Sequence, residues 1–182
     1  MRREEIIAAI ERARKGIGQY LDIMTMFPTV DVSTNRTFQR QFNHFYRIKQ
    51  RSEGWYAEYY SFMERGKRNP PRFEEVLDHL HATLGRYEPS FSSKLAATLT
   101  PDEPVWDQYV IRNTGQRPPS YSSPHKFEQA KTVFQEVRRW YRERLESSEG
   151  RLIIEIFREL MDQHNQITDV KKIDFVLWQM RS

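Results

Sequence analysis

Apolar residues recur along this chain at helical spacing, and this periodicity restricts the folds that the chain can adopt. In most stretches, apolar positions are three or four residues apart, as the buried face of a helix requires. No segment shows the apolar–polar alternation of a half-buried strand. The sequence therefore predicts an all-α protein with about nine helices in one compact, two-lobed domain.

Capping residues, prolines and glycines predict where the helices begin and end. Basic residues and a double proline break the pattern at 66–72, and a serine- and proline-rich stretch at 113–124 gives the longest loop. We predict a single domain over residues 1–182, with possible lobe boundaries at these two loops. Helices are predicted at about 3–24, 34–48, 53–65, 72–84, 94–99, 108–114, 125–146, 149–163 and 169–180. The predicted caps are Thr34, Gly85 and either Thr168 or Asp169.

The composition excludes several classes of site. The chain of 182 residues contains no cysteine, so disulfides, thiolate catalysis, zinc ribbons and iron–sulfur clusters are ruled out, and a reducing cytoplasm fits. No apolar run approaches the roughly 20 residues that span a bilayer, and the charged N-terminal stretch does not resemble a secretory signal. The net charge of +4 permits an anionic partner without requiring one.

Common catalytic and metal-binding motifs are also absent. The sequence has no glycine-rich phosphate loop, no HExxH and no GxSxG. His79 and His81 lie two positions apart, so they point to different sides of a helix and not toward one metal. We therefore predict no metal and no cofactor.

Basic and aromatic residues are interleaved in two stretches, 38–51 and 137–144. Such a mixture can hold a phosphate backbone or stack on bases. It is also typical of an amphipathic helix with a basic surface and an aromatic core stripe, which is the more common case. The two interpretations stay open.

The stretch Pro89–Val110 is more specific. Residues 89–96 read PSFSSKLA, which resembles the hairpin P-G-x-G-x-K-T-A of the helix-hairpin-helix DNA glycosylases, whose lysine opens the second helix. Residues 104–110 read PVWDQYV, similar to the family's aspartate loop, V-D-x-x-V. Residues 173–178 read IDFVLW, which resembles the terminal L-D-L-x-x-W pattern of the small archaeal-type 8-oxoguanine DNA glycosylase/lyases. The resemblance implies a helix-hairpin-helix-like element near 85–107.

This resemblance implies a DNA N-glycosylase with AP-lyase activity that excises a damaged or modified base. Lys94 is then the nucleophile, whose neutral amine attacks C1′ of the deoxyribose and forms a Schiff base. A desolvated pocket favours the neutral amine because burial lowers the pKa of a lysine. Asp107 is then the general base, and its carboxylate stabilises the positive charge that develops on the sugar.

The resemblance also implies a DNA partner, a duplex from which one modified base is flipped into a pocket. The residues implied to contact DNA or the flipped base are Ser90, Ser92, Ser93, Trp106, Tyr109, Arg112, Phe175 and Trp178. The serine hydroxyls are expected to replace the amide contacts of the family's glycines, which approach phosphate at positive φ. Lys94 and Asp107 are 13 residues apart, a shorter separation than the family usually shows. No membrane partner is predicted.

The same residues also have ordinary structural explanations. Lys94 can be a solvated residue on a helix, and Asp107 can be the N-cap of the helix that follows it. Trp106 and Phe91 can belong to the core. Two other function classes therefore stay open beside the glycosylase: a non-catalytic DNA-binding module and a helical protein-interaction domain.

Overall fold

The computed structural model describes residues 1–180, and every regular element in that range is a helix. Its elements are α1 (Arg3–Met26), α2 (Arg36–Tyr46), α3 (Glu53–Gly66), α4 (Phe73–Leu84), α5 (Pro89–Leu99), α6 (Gln108–Asn113), α7 (Lys126–Glu146), α8 (Ser148–Leu160) and α9 (Asp169–Gln179). A short 3-10 helix, His164–Gln166, separates α8 from α9. The prediction of an all-α protein with about nine helices is confirmed. Across these 180 residues, no helix is both long and apolar enough to cross a bilayer.

Two predicted helix caps, Gly85 and Thr168, are confirmed at atomic detail, and the predicted limits of α2 are wrong. Gly85 ends α4 in the left-handed conformation, with φ of 63°. Thr168 caps α9 by accepting a hydrogen bond from the Lys171 amide. The cap of α2 is Asn35, one residue after the predicted Thr34, and α2 ends at Tyr46 because Arg47 turns into the left-handed region.

Two further predicted helix limits are wrong. The helix that contains Lys94 begins at Pro89, five residues earlier than predicted, so that the serines between them are helical. Proline favours the first position of a helix because its φ is already fixed near the helical value. The helix α8 ends at Leu160, not at 163, because Met161 takes an extended conformation.

The helix α9 lies at the centre of the bundle and packs against α1, α6, α7 and α8. Every residue from Val170 to Leu177 is buried, including three charged ones. A helix that is buried on all sides belongs to the core of a protein. One apolar cluster draws residues from all nine helices of the described range, and the predicted loops fall between α3 and α4 and between α6 and α7.

The corner between α7 and α8 leaves no room for a side chain at Gly150. Ser147 ends α7 and also caps α8, where its hydroxyl accepts a hydrogen bond of 3.0 Å from the Gly150 amide. A Cβ atom at Gly150 would lie 1.9 Å from the carbonyl oxygen of Arg144. The close approach of the two helix ends therefore requires glycine.

We expect Gly150→Ala to lower the free energy of unfolding by about 1–3 kcal/mol or more, because the new methyl group must push backbone apart. The matched control is Gly18→Ala, in the exposed interior of α1, where a Cβ meets nothing within 4 Å. That variant should gain about 0.5–1 kcal/mol, because alanine favours a helix more than glycine does. Urea denaturation measures both values, and equal effects of the two substitutions would contradict the packing at this corner.

Candidate functional site

Lys94 lies in the second turn of α5 with its amine in an aromatic, largely dry environment. The side chain is only 8% exposed. Its Nζ donates a hydrogen bond of 3.2 Å to the backbone oxygen of Tyr46, at the C-terminal end of α2. The same atom lies 4.9 Å from the ring centroid of Phe91 and 5.9 Å from that of Tyr46. Lys94 is therefore not a solvated surface lysine.

Burial lowers the pKa of Lys94 to about 8, chiefly because the charged form loses its hydration. The Asp107 carboxylate opposes this effect by raising the pKa, and so, more weakly, does Glu88, while the nearby Arg47 lowers it further. A lysine with a pKa near 8 is about one-tenth neutral at pH 7, far more than an exposed lysine with its ordinary pKa. The neutral amine is the nucleophilic form.

Asp107 is the N-cap of α6, as the structural explanation of this residue predicted. Its carboxylate accepts a hydrogen bond of 2.8 Å from the Tyr109 amide. No direct ion pair with Lys94 is formed, but the field of the carboxylate reaches the amine. Asp107 also raises the pKa of Asp174 in α9. The half-buried Asp107 carboxylate thus raises the pKa of both the Lys94 amine and the Asp174 carboxyl group.

A single hydrogen bond holds the return loop between α5 and α6 against α5. The Ser93 hydroxyl accepts a bond of 2.8 Å from the Trp106 amide. Ser93 precedes Lys94 and Trp106 precedes Asp107, so this contact brings the lysine and the aspartate to the same part of the molecule. Thr168, the cap of α9, donates a bond of 2.8 Å to the Pro101 oxygen and anchors the other end of the loop.

The three serines predicted to contact phosphate lie in the first two turns of α5. Ser92 and Ser93 are fully buried. Their hydroxyls donate bonds of 2.9 Å to the backbone oxygens of Glu88 and Ser90, respectively. Ser90 is half-buried, so it is the one serine of the three with appreciable exposed surface.

Two of the aromatic residues predicted to line a base pocket pack in the core. Trp106 is buried and its ring is parallel to that of Phe73, with centroids 6.0 Å apart. Phe175 is buried and meets Tyr20 edge to face, with centroids 5.6 Å apart. Their contacts are those of core side chains.

The other predicted base and DNA contacts reach the surface near the junction of α6 and α9. Trp178 is half-buried against Phe45 and Phe175, and its indole nitrogen has no hydrogen-bond partner. Tyr109 is half-buried and Arg112 is exposed. The side chain of Asn113 joins the two helices by donating to the Leu177 oxygen at 3.2 Å.

Sequence reasoning missed a charged pair at the centre of α9. Lys171 and Asp174 are both 0% exposed, and Nζ of the lysine lies 2.6 Å from Oδ2 of the aspartate. The Tyr141 hydroxyl of α7 donates a further hydrogen bond to this carboxylate. Burial raises the pKa of Asp174, and the Lys171 ammonium opposes that rise. The available signal was a lysine and an aspartate three residues apart inside an apolar helix.

Three arginines, Arg47, Arg51 and Arg86, lie near Lys94 and its neighbour Glu88, and together they are called the basic rim. The fields of Arg47 and Arg86 reach Lys94 and Glu88, respectively. The Arg51 guanidinium lies 4.9 Å from the Phe91 ring centroid and forms an ion pair of 3.4 Å with the buried Glu88. The Phe91 ring therefore contacts both the Arg51 and the Lys94 cations.

The described part of the chain offers no competing metal centre. No group of three or more histidine, aspartate or glutamate residues in it is arranged to hold a metal ion. One surface cavity is lined by residues around Thr168 and Asp169, and another by the loop before α7 and its first turns. Neither cavity is lined by Lys94 or Asp107.

Comparisons with known proteins identify no relative. No protein-family model matches the chain. No curated protein and no solved structure matches it either. The helix-hairpin-helix-like element near 85–107 and the glycosylase activity therefore stay predictions.

The titration of Lys94 is expected to respond in opposite directions to two neighbouring substitutions. Asp107→Asn should lower the pKa of Lys94 below about 8, because a stabilising negative charge is lost. Arg47→Gln should raise it, because a like charge is removed. The measurement is the pH dependence of the Cε chemical shift in isotope-labelled lysine, with the exposed Lys49 as internal reference. A Lys94 pKa that neither substitution moves would contradict this geometry.

The α9 ion pair makes a separate prediction. Asp174→Asn should destabilise the fold by about 3–5 kcal/mol, because the ammonium of Lys171 stays buried without a counter-charge. The double variant Lys171→Met, Asp174→Leu should be comparable to wild type or more stable, since no buried charge remains. Chemical denaturation distinguishes the two cases. A cost below about 1 kcal/mol for the single variant would show that the pair is open to water.

Proposed function

We propose that this protein is a DNA N-glycosylase with AP-lyase activity, in which the Lys94 amine attacks C1′ of a deoxyribose that carries a damaged or modified base. The observation that carries this proposal is the buried Lys94 amine, whose pKa is lowered to about 8 within the field of the Asp107 carboxylate. The motifs around these two residues, which resemble those of the helix-hairpin-helix glycosylases, support it. The absence of cysteine fits a reducing cytoplasm.

The proposed reaction uses the amine and the carboxylate in sequence. The lone pair of Lys94 forms a bond to C1′ while the bond from C1′ to the base breaks, and the base leaves with that electron pair and takes up a proton. The Asp107 carboxylate first stabilises the positive charge that develops on the sugar, and then accepts a proton from the amine that has reacted, which balances the proton that the base takes up from solvent. Opening of the sugar ring gives the Schiff base. Loss of the C2′ proton and rupture of the C3′–oxygen bond then complete the lyase step.

The basic rim supports DNA as the partner. Arg47 and Arg86 are exposed and lie near Lys94 and Glu88, respectively, and such a group of cations can bind a phosphate backbone. Lys94 itself is too buried to meet a stacked base, so a flipped nucleotide must enter and displace what covers the amine. In this proposal the ion pair between Arg51 and Glu88, which lies beside Lys94, opens as the nucleotide enters.

A non-catalytic DNA-binding module is the second candidate, and one contact favours it. The hydrogen bond from Lys94 to the Tyr46 oxygen satisfies a carbonyl at the end of α2, where a positive charge is favourable. A lysine with only this role would hold α2 against α5 without any chemistry. This candidate retains the basic rim and predicts binding that weakens with salt.

Borohydride trapping on a panel of duplexes, each with one modified base, tests the proposal. Wild type should give a covalent adduct, and mass spectrometry of the trapped peptide should place it on Lys94. Lys94→Gln should lose the adduct and the excision, whereas Lys49→Gln, at an exposed lysine, should keep both. Asp107→Asn should slow excision by about 10²–10⁴-fold, the usual contribution of a general base.

The outcomes of these experiments test the nucleophile and distinguish the two candidates. Excision by Lys94→Gln at the wild-type rate, or an adduct on another lysine, overturns the assignment of the nucleophile. Salt-dependent binding without product across the panel favours the module. A thermal melt of each variant separates loss of chemistry from loss of fold, and the position of the wild-type adduct holds even where a variant unfolds.

A further inference from the structure

The loop before α7 presents an aromatic side chain to solvent. Within residues 1–180, Tyr121 is the one large hydrophobic residue whose side chain is exposed, with 73% of its surface accessible. Its ring meets that of Tyr87 edge to face, with centroids 5.4 Å apart, and Tyr87 meets Phe127 of α7 in the same way at 5.1 Å. Tyr121, Tyr87 and Phe127 therefore form a row of contacting rings, called the aromatic ladder, with Tyr121 at its exposed end.

The loop that carries Tyr121 is held in place by hydrogen bonds. Nζ of Lys126 donates a bond of 2.9 Å to the Tyr121 backbone oxygen and lies 5.4 Å from the Tyr87 ring centroid. The hydroxyls of Ser120 and Ser122, on either side of Tyr121, are 2.8 Å apart. Because its backbone is pinned, the ring offers a flat surface at little further cost in conformational entropy.

The surroundings of the ladder are basic. Arg86 precedes Tyr87 and is exposed, and Arg117 is exposed in the same loop as Tyr121. Among the nearby acids, Glu128 is paired with Lys131, and Glu88 is paired with Arg51. An exposed aromatic ring among unneutralised cations matches the two parts of a nucleotide, a base that stacks and a phosphate that carries negative charge.

The ladder also adjoins the Lys94 site. The four-residue loop 85–88 contains Arg86 and Tyr87 at the ladder and Glu88 beside Lys94. A strand whose phosphates lie along the basic rim can therefore reach both places. A base can stack on the exposed ring only if one of its own faces is free. The bases inside an intact duplex stack on each other through both faces, so the base must come from an unpaired segment.

We propose that Tyr121 and the ladder beneath it form a stacking site for an unpaired base of single-stranded DNA, next to the Lys94 site. This proposal extends the proposed function by naming the substrate class: DNA with an unpaired or splayed segment beside the target nucleotide. Lys126, Arg86 and Arg117 supply the phosphate contacts.

Fluorescence anisotropy with a labelled 15-mer oligodeoxynucleotide of unmodified bases tests this site without any chemistry. Wild type should bind the single strand more tightly than the same sequence as a duplex. Tyr121→Ala should weaken single-strand binding on the order of tenfold, the usual loss when one stacked base is given up. Tyr121→Phe, the matched control, should bind like wild type because the ring remains.

The outcomes separate this site from the proposed catalysis. Wild-type affinity of Tyr121→Ala for the single strand overturns the stacking site, even if Lys94 forms a borohydride adduct. Weaker binding by Tyr121→Ala and not by Tyr121→Phe supports it, even if no duplex yields an adduct and the glycosylase proposal fails. Tighter binding to RNA of the same sequence than to DNA overturns DNA as the occupant. Equal melting temperatures confirm that the exposed substitutions leave the fold intact.

Discussion

The ion pair between Lys171 and Asp174 lies inside α9, the helix at the centre of the bundle, and the surrounding helices must accommodate its two charges. Both side chains are completely buried on α9, and the Tyr141 hydroxyl of α7 satisfies a further lone pair of the carboxylate. Removing two charges from water costs several kcal/mol per ion, and their attraction offsets this only when the geometry is good. The pair thus specifies how α9 sits against α7 more than it adds net stability. The Asp107 carboxylate raises the pKa of both Asp174 and Lys94, so it contributes to the electrostatics of both places.

The folded protein favours the neutral form of Lys94 over the charged form, because the side chain is buried. Burial lowers its pKa from 10.5 to about 8, so between these two values the unfolded chain binds more protons at this residue than the folded protein does. The contribution of Lys94 to stability therefore rises as the pH increases from about 8 to 10.5, and below that window the buried ammonium is unfavourable. For the proposed nucleophile this is an advantage, because the form that the fold favours is the reactive one.

Local signals in the sequence predicted the helices, and they failed where tertiary contacts decide. Gly85 and Thr168 act within one turn of their own helix, so their roles as caps were predictable. The start of α5 was missed because serines between Pro89 and Lys94 look like a hairpin until their hydroxyls bond within the helix. The Lys171–Asp174 pair was missed because charges three residues apart usually mark a solvated helix face. Lys94 and Asp107 were selected by motif, but no spacing could reveal the Ser93 contact that brings them together.

In the proposed enzyme, the contacts of Arg51 link the binding of DNA to access to the Lys94 amine. Arg51 holds Glu88 through an ion pair of 3.4 Å and packs on the same Phe91 ring as the Lys94 ammonium. In the proposed enzyme, a DNA phosphate at the basic rim would compete with Glu88 for Arg51, because arginine binds phosphate with strong, charge-assisted hydrogen bonds. Burial already raises the pKa of Glu88, so this carboxylate can take up a proton more readily than an exposed one when Arg51 leaves. In the proposed enzyme, the amine would be uncovered only when a phosphate backbone is in place.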